Sequence, residues 1–109
     1  MHRNFTQTMT VRTDDPDALV ELARQWDVNQ AGADIMGYMG SRVLADRDSP
    51  GVYVIEADYG VVDPEVSAYE EAQKNNDRPE TNEWAVRLQK LADGPPEYRH
   101  YDELYRTGI

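Results

Sequence analysis

Two Asp-Pro pairs, Asp15-Pro16 and Asp63-Pro64, each set after a run of strand formers, fix the order in which this chain can build its elements. Aspartate supplies an oxygen for the unpaired amides of a helix start, and proline brings a backbone angle suited to the first helical position. Ahead of the first pair, Phe5, Met9 and Val11 occupy odd positions with Thr6, Thr8 and Thr10 between them. That period of two predicts a half-buried strand from Phe5 to Arg12. After the pair, Leu19, Leu22, Ala23 and Trp26 share one helical face while Asp17, Glu21 and Arg24 turn to water, predicting a helix that fades near Gln30.

The stretches Ile35 to Ala45 and Val52 to Tyr59 are rich in strand formers, and Asp46-Arg47-Asp48-Ser49-Pro50-Gly51 between them has hairpin-loop chemistry. Val52, Tyr53, Val54 and Ile55 do not alternate, which predicts cover on both faces of that strand. From Asp63-Pro64 a second helix is expected, with Val66, Tyr69 and Ala72 as its stripe, giving out in Lys74-Asn75-Asn76-Asp77. Pro79 restarts it; Trp84, Leu88 and Leu91 continue the period until Asp93-Gly94-Pro95-Pro96 stops it with a left-handed glycine. Glu97 to Tyr105 is read as a last strand, irregular at its end, with Thr107-Gly108-Ile109 as tail.

Strand, helix, strand, strand, helix, strand is the split β-α-β order of an α+β, ferredoxin-like βαββαβ domain: a four-stranded antiparallel sheet with helices on one face. Residues 1–109 make one domain, since the length suits a single core. The sheet face away from the helices is expected to be covered by a second copy, so a homodimer is predicted. With 11 basic against 21 acidic residues the formal charge is −10, which argues against nucleic acid or an anionic membrane as partner. The chain has no cysteine, no apolar leader at its start and no membrane-length apolar run, so the expectation is a soluble, cytoplasmic protein.

The order of elements, the hairpin Ser41 to Tyr59, the bent second helical stretch and the closing Asp93-Gly94-Pro95-Pro96-Glu97-Tyr98 resemble the dimeric α+β barrel superfamily. Within it the chain is most similar to the antibiotic biosynthesis monooxygenase-type domains. The resemblance spans nearly the whole chain and rests on pattern and length. It implies a cofactor-independent monooxygenase acting on a planar phenolic or quinol substrate, held between sheet and helices among Trp, Tyr, Asn and Arg side chains. Trp84 resembles the helix-borne tryptophan of those enzymes; Glu80 stands four residues before it, where they carry asparagine, while Asn75, Asn76 and Asn82 lie nearby. The haem-degrading branch uses a helix histidine, and Pro64 to Asp93 contains none, so neither haem nor another cofactor is expected.

His100 is the one histidine within the expected fold and carries either a general-base role or a structural one. Trp84 and Tyr59 complete the catalytic candidates. Trp26, Tyr38, Tyr53 and Arg42 are the substrate-binding candidates: the aromatic rings as flat walls for a small aromatic molecule, the guanidinium as a partner for a developing phenolate. The competing reading of the tryptophans is core packing, and of Arg42 and Arg99 surface pairing with carboxylates. Gly37 and Gly40 beside Tyr38 mark a bulge or a close approach of backbone. No metal-binding or phosphate-cradling spacing is present. A non-enzymatic dimeric module that binds a metabolite or a protein fits the same features.

Overall fold

In the computed structural model, which describes residues 2–108, the alternation of the first strand becomes the inner face of a sheet. β1 (Phe5–Arg12) is followed by α1 (Pro16–Ala31), the hairpin β2 (Tyr38–Ala45) and β3 (Val52–Tyr59), α2 (Ala68–Gln73), a 3₁₀ turn (Lys74–Asp77), α3 (Pro79–Leu91) and β4 (Glu97–Asp102). The four strands form an antiparallel sheet in the order β2-β3-β1-β4. This is the expected α+β, ferredoxin-like arrangement. Met1 and Ile109, the ends of the expected domain and tail, lie outside the described residues.

Register explains which side chains meet the helices. Phe5 lies opposite Tyr59, Met9 opposite Ile55 and Val11 opposite Tyr53, so one face gathers the buried apolar residues of β1 and β3. Met9, Val11 and Ile55 pack with Leu19, Leu22, Trp26, Trp84 and Leu88 from α1 and α3. A second cluster joins Phe5, Ala57 and Tyr59 to Ile35, Ala68 and Ala72. On the opposite face lie the threonines of β1, the Arg42–Glu56 ion pair at 2.6 Å and the Thr6–Asp58 hydrogen bond at 2.7 Å. Val52 and Val54 on that face are only partly covered, whereas the sequence suggested cover on both sides.

Several boundaries shift for local reasons. Asp63-Pro64 makes only a turn, with Asp63 Oδ1 accepting from the Glu65 amide, because Ser67 is extended and caps the helix afresh at the Glu70 amide. The buried residues of α2 are consequently Ala68, Glu71 and Ala72 rather than the stripe Val66, Tyr69 and Ala72. Ile35 plugs the second cluster instead of starting β2. β4 stops at Asp102, opposite Phe5 at the start of β1, and the pairing ends one residue further on, where the Glu103 amide donates to the Asn4 carbonyl at 2.9 Å. The break before Pro79 is where the polar run placed it, with Arg78 extended between the 3₁₀ turn and α3.

Gly37 (φ +83°) brings its backbone against Gly60, whose amide donates to the Gly37 carbonyl at 2.6 Å. A Cβ at Gly37 would lie 2.0 Å from the Gly60 oxygen, whereas one at Gly40 would meet nothing within 4 Å. The bulge expected beside Tyr38 falls between Tyr38 and Gly40. Gly37→Ala is expected to lower unfolding free energy by at least about 2 kcal/mol, since left-handed strain adds to a backbone clash. Gly40→Ala, carrying strain alone, should cost clearly less; urea midpoints of the two variants check the difference.

Candidate functional site

The inner face of the sheet is not apolar throughout. Gln7 sits between Phe5 and Met9 on β1, and its partner on β4 is His100. Above this polar spot the helical layer is at its weakest, because the chain breaks into the 3₁₀ turn between α2 and α3. A cavity of about 340 Å³ remains there, within the size range of small-molecule sites. Trp26, Trp84, Met9 and Tyr98 supply apolar and aromatic wall, and Gln7, Asn75, Asn76 and Asn82 supply amides. Among the described residues, no Asp, Glu, Lys or Arg borders it. A second groove of about 520 Å³, bounded by Arg3, Phe5 and Tyr69, adjoins it at His100.

The back wall is fixed by a buried hydrogen-bond network. Gln30 Nε2 donates to Asn75 Oδ1 at 2.8 Å, Asn75 Nδ2 donates to the Tyr59 hydroxyl at 3.2 Å, and that hydroxyl donates to Gln30 Oε1 at 3.1 Å. Burial pushes the Tyr59 phenol up to about 12, against the nearby Trp26 indole and the Asn75 amide, which favour the phenolate. Tyr38 is also pushed up, first by burial and then by its hydrogen bond to Asp27. Two of the lining residues, Trp26 and Thr81, keep a buried polar atom (Nε1 and Oγ1) with no hydrogen bond among the described residues. The Trp84 indole donates to the Leu22 carbonyl at 2.7 Å and so binds α3 to α1.

Of the residues singled out in the sequence, Trp26, Trp84 and His100 come together at the cavity. Tyr59 stands one hydrogen bond behind it, through Asn75. Tyr38 and Tyr53 pack instead against the α1–α3 core cluster from the β2–β3 side, and Tyr38 donates to Asp27. Arg42 is on the other face of the sheet, paired with Glu56, and Arg99 is paired with Glu97. Their strand register turns both guanidiniums away from the helices. His100 stacks on Phe5 at 5.7 Å, with Tyr69 edge-on at 6.0 Å, and no hydrogen bond among the described residues orients its ring. Among the same residues no cluster of three or more His, Asp or Glu is arranged to hold a metal, and no helix is long and apolar enough to cross a membrane.

No family model and no curated protein matches the sequence. Solved structures do. A Nitrosomonas europaea protein named among the antibiotic biosynthesis monooxygenases superimposes with a TM-score of 0.69 at 19% identity, over 99% of this chain and 97% of the other. Rv0793 of Mycobacterium tuberculosis gives 0.69 at 13% identity, over 96% and 99%. A variant of SnoaB, a cofactor-independent oxygenase of Streptomyces nogalater, gives 0.68 at 13% identity, over 95% and 96%. The chain has the antibiotic biosynthesis monooxygenase fold. At these identities the likeness is one of architecture, and it agrees with the resemblance read from the order of elements.

The raised Tyr59 phenol makes stability sensitive to alkali. A group that keeps its proton more tightly folded than unfolded contributes fully below the ordinary value of 10 and loses that contribution as pH climbs towards about 12. Urea midpoints should therefore fall across this window. Tyr59→Phe should make the fall shallower, leaving the part due to Tyr38; an unchanged slope would show that Tyr59 ionises freely in the folded protein.

Proposed function

We propose that the cavity binds a small, planar, uncharged aromatic molecule and that the chain oxidises it as a cofactor-independent monooxygenase, with a phenolic or quinol substrate. The observation that carries this reading is the cavity of about 340 Å³, walled by two tryptophans and side-chain amides and free of formal charge, in a chain of net charge −10. Ring faces of Trp26 and Trp84 orient a flat substrate and exclude water. The amides of Gln7, Asn76 and Asn82 pair with its oxygens, and His100, at the rim, accepts the phenolic proton. The electron-rich substrate itself reduces oxygen: one oxygen atom enters the ring, the other leaves as water with two substrate hydrogens. Desolvation, orientation and stabilisation of negative charge are then what the protein supplies. SnoaB, a cofactor-independent oxygenase of the same fold, supports this choice.

Substrate-dependent oxygen uptake across a panel of quinols and phenols tests the reading. Trp84→Phe should lower turnover by altering the wall and its tie to α1, and His100→Gln should lower it by about a hundredfold, the lower end of what a positioned base supplies. No uptake over the whole panel would refute it.

The unoriented ring of His100, held by aromatic stacking rather than by a hydrogen-bonded partner, favours a second reading: a binding module that does no chemistry. Thermal stabilisation by a quinol that is recovered unchanged under oxygen would decide for that module.

We also propose that two copies associate in a homodimer through the sheet face opposite the helices, where Leu44, Val52, Val54 and Tyr101 lie among threonines and ion pairs. Sedimentation at micromolar concentration should give twice the chain mass, and Leu44→Asp should return the monomer.

A further inference from the structure

The two tryptophans at the cavity belong to a longer row of oxidisable rings. Trp84 and Trp26 meet edge to face with centroids 5.0 Å apart. Tyr38 in turn lies 5.5 Å from Tyr59, ring centre to ring centre. Tyr38 also packs directly on the cluster that contains Trp26. At the outer end the Tyr38 hydroxyl donates to the exposed Asp27 carboxylate, which also accepts from Ser41 at 3.2 Å. The row thus leads from the cavity, through the packing of Tyr38 against the cluster of Trp26 and Trp84, to a tyrosine–carboxylate pair at the surface.

We propose that this row conducts electrons inwards, so that a one-electron oxidant in the cavity is quenched by oxidation of Tyr38 while its proton passes to Asp27. The idea goes beyond the monooxygenase reading and needs no knowledge of the substrate. The oxidant is an oxygen-centred or substrate-derived radical, as one-electron reactions of oxygen in a cavity produce. It takes one electron from the Trp84–Trp26 pair and is reduced to its anion. One electron from Tyr38 refills the tryptophan radical cation. In the same step the phenolic proton moves along the hydrogen bond to Asp27, leaving a neutral tyrosyl radical beside a neutral carboxylic acid. A soluble thiol or ascorbate then returns one electron, the proton goes back, and both side chains are restored.

The placement of proton acceptors explains why the charge stops at Tyr38. Tyr59 donates to the amide oxygen of Gln30, which is not a base, so its proton has nowhere to go and Tyr59 does not hold the radical. Tyr38 is the ring of the row whose hydroxyl meets a carboxylate, and a charge-assisted hydrogen bond is the suitable path for a proton that leaves with the electron. Tyr98 also borders the cavity, but no carboxylate accepts from it among the described residues.

Pulse radiolysis of the full chain with azidyl radicals tests this. Azidyl is small and uncharged and oxidises indoles ahead of phenols at neutral pH; both tryptophans of the chain are on the row, so the starting radical is assigned. The tryptophanyl absorption should decay as tyrosyl absorption grows, at one rate independent of protein concentration. Tyr38→Phe should remove most of the tyrosyl yield, and Asp27→Asn, which keeps the shape and loses the base, should slow its growth by about a hundredfold. Tyr105→Phe, which alters an exposed ring off the row, should leave the rate unchanged. A tryptophanyl radical that persists in the unaltered chain overturns the proposal. So does a tyrosyl yield that survives Tyr38→Phe, or a rate indifferent to Asp27→Asn in a variant whose thermal melt shows it folded.

Discussion

The interaction on which the rest of this molecule depends is the buried ring of hydrogen bonds between Gln30, Tyr59 and Asn75. Its members come from the end of α1, the end of β3 and the 3₁₀ turn, so three elements distant in sequence are held by groups that cannot turn to water. A buried amide left without a partner costs about 1–3 kcal/mol, which makes such a network more a constraint on geometry than a source of net stability. It anchors the point at which the helical layer breaks. The cavity exists beside that point because α2 and α3 cannot close over it while Asn75 is held inwards. The same network fixes the Tyr59 ring against Tyr38, 5.5 Å away, so the shape of the cavity and the aromatic rings beside it share one support.

Charge is distributed unevenly in a meaningful way. A chain with a formal charge of −10 would be expected to bring carboxylates near most concave surfaces, yet the cavity is bordered by amides, a hydroxyl, aromatic rings and one imidazole. Arg42 and Arg99, which in sequence looked like means of neutralising a phenolate, are spent on Glu56 and Glu97. Under the proposed reaction, negative charge developing in the cavity would be met by dipoles and not by a cation. This suits charge that is delocalised over a ring better than charge concentrated on one oxygen.

The fold was legible because its signals are local. The odd-numbered apolar residues of β1, the Pro-Gly loop and the stop at Gly94 each report on a few neighbouring positions, and their order is enough to name the topology. The site was less legible because it is built by register. Trp26, Trp84 and His100 could be singled out by residue type, but Tyr38 and Tyr53 share their residue type with Tyr98 and differ only in which strand carries them. Tyr38 and Tyr53 lie on the β2–β3 side and Tyr98 on β4 beside the cavity. Arg42 was misplaced for a related reason: the bulge after Tyr38 resets the face that each later residue of β2 presents. One signal was available and unused. Gln7 interrupts the apolar series Phe5, Met9 and Val11, and a polar side chain on an otherwise buried stripe marks either a network or a cavity.

The interruption between α2 and α3 also bears on how such a domain can change over time. An unbroken helix from Ala68 to Leu91 would be about 36 Å long, against about 27 Å for an eight-residue strand beneath it. The turn at Lys74–Asp77 absorbs that excess length, and the sheet neither pairs with it nor depends on its length. Gain or loss of a residue there would enlarge or narrow the cavity while leaving the strand ladder untouched. Evolvability is thus concentrated in one short segment, and one scaffold can carry cavities of different size without being rebuilt.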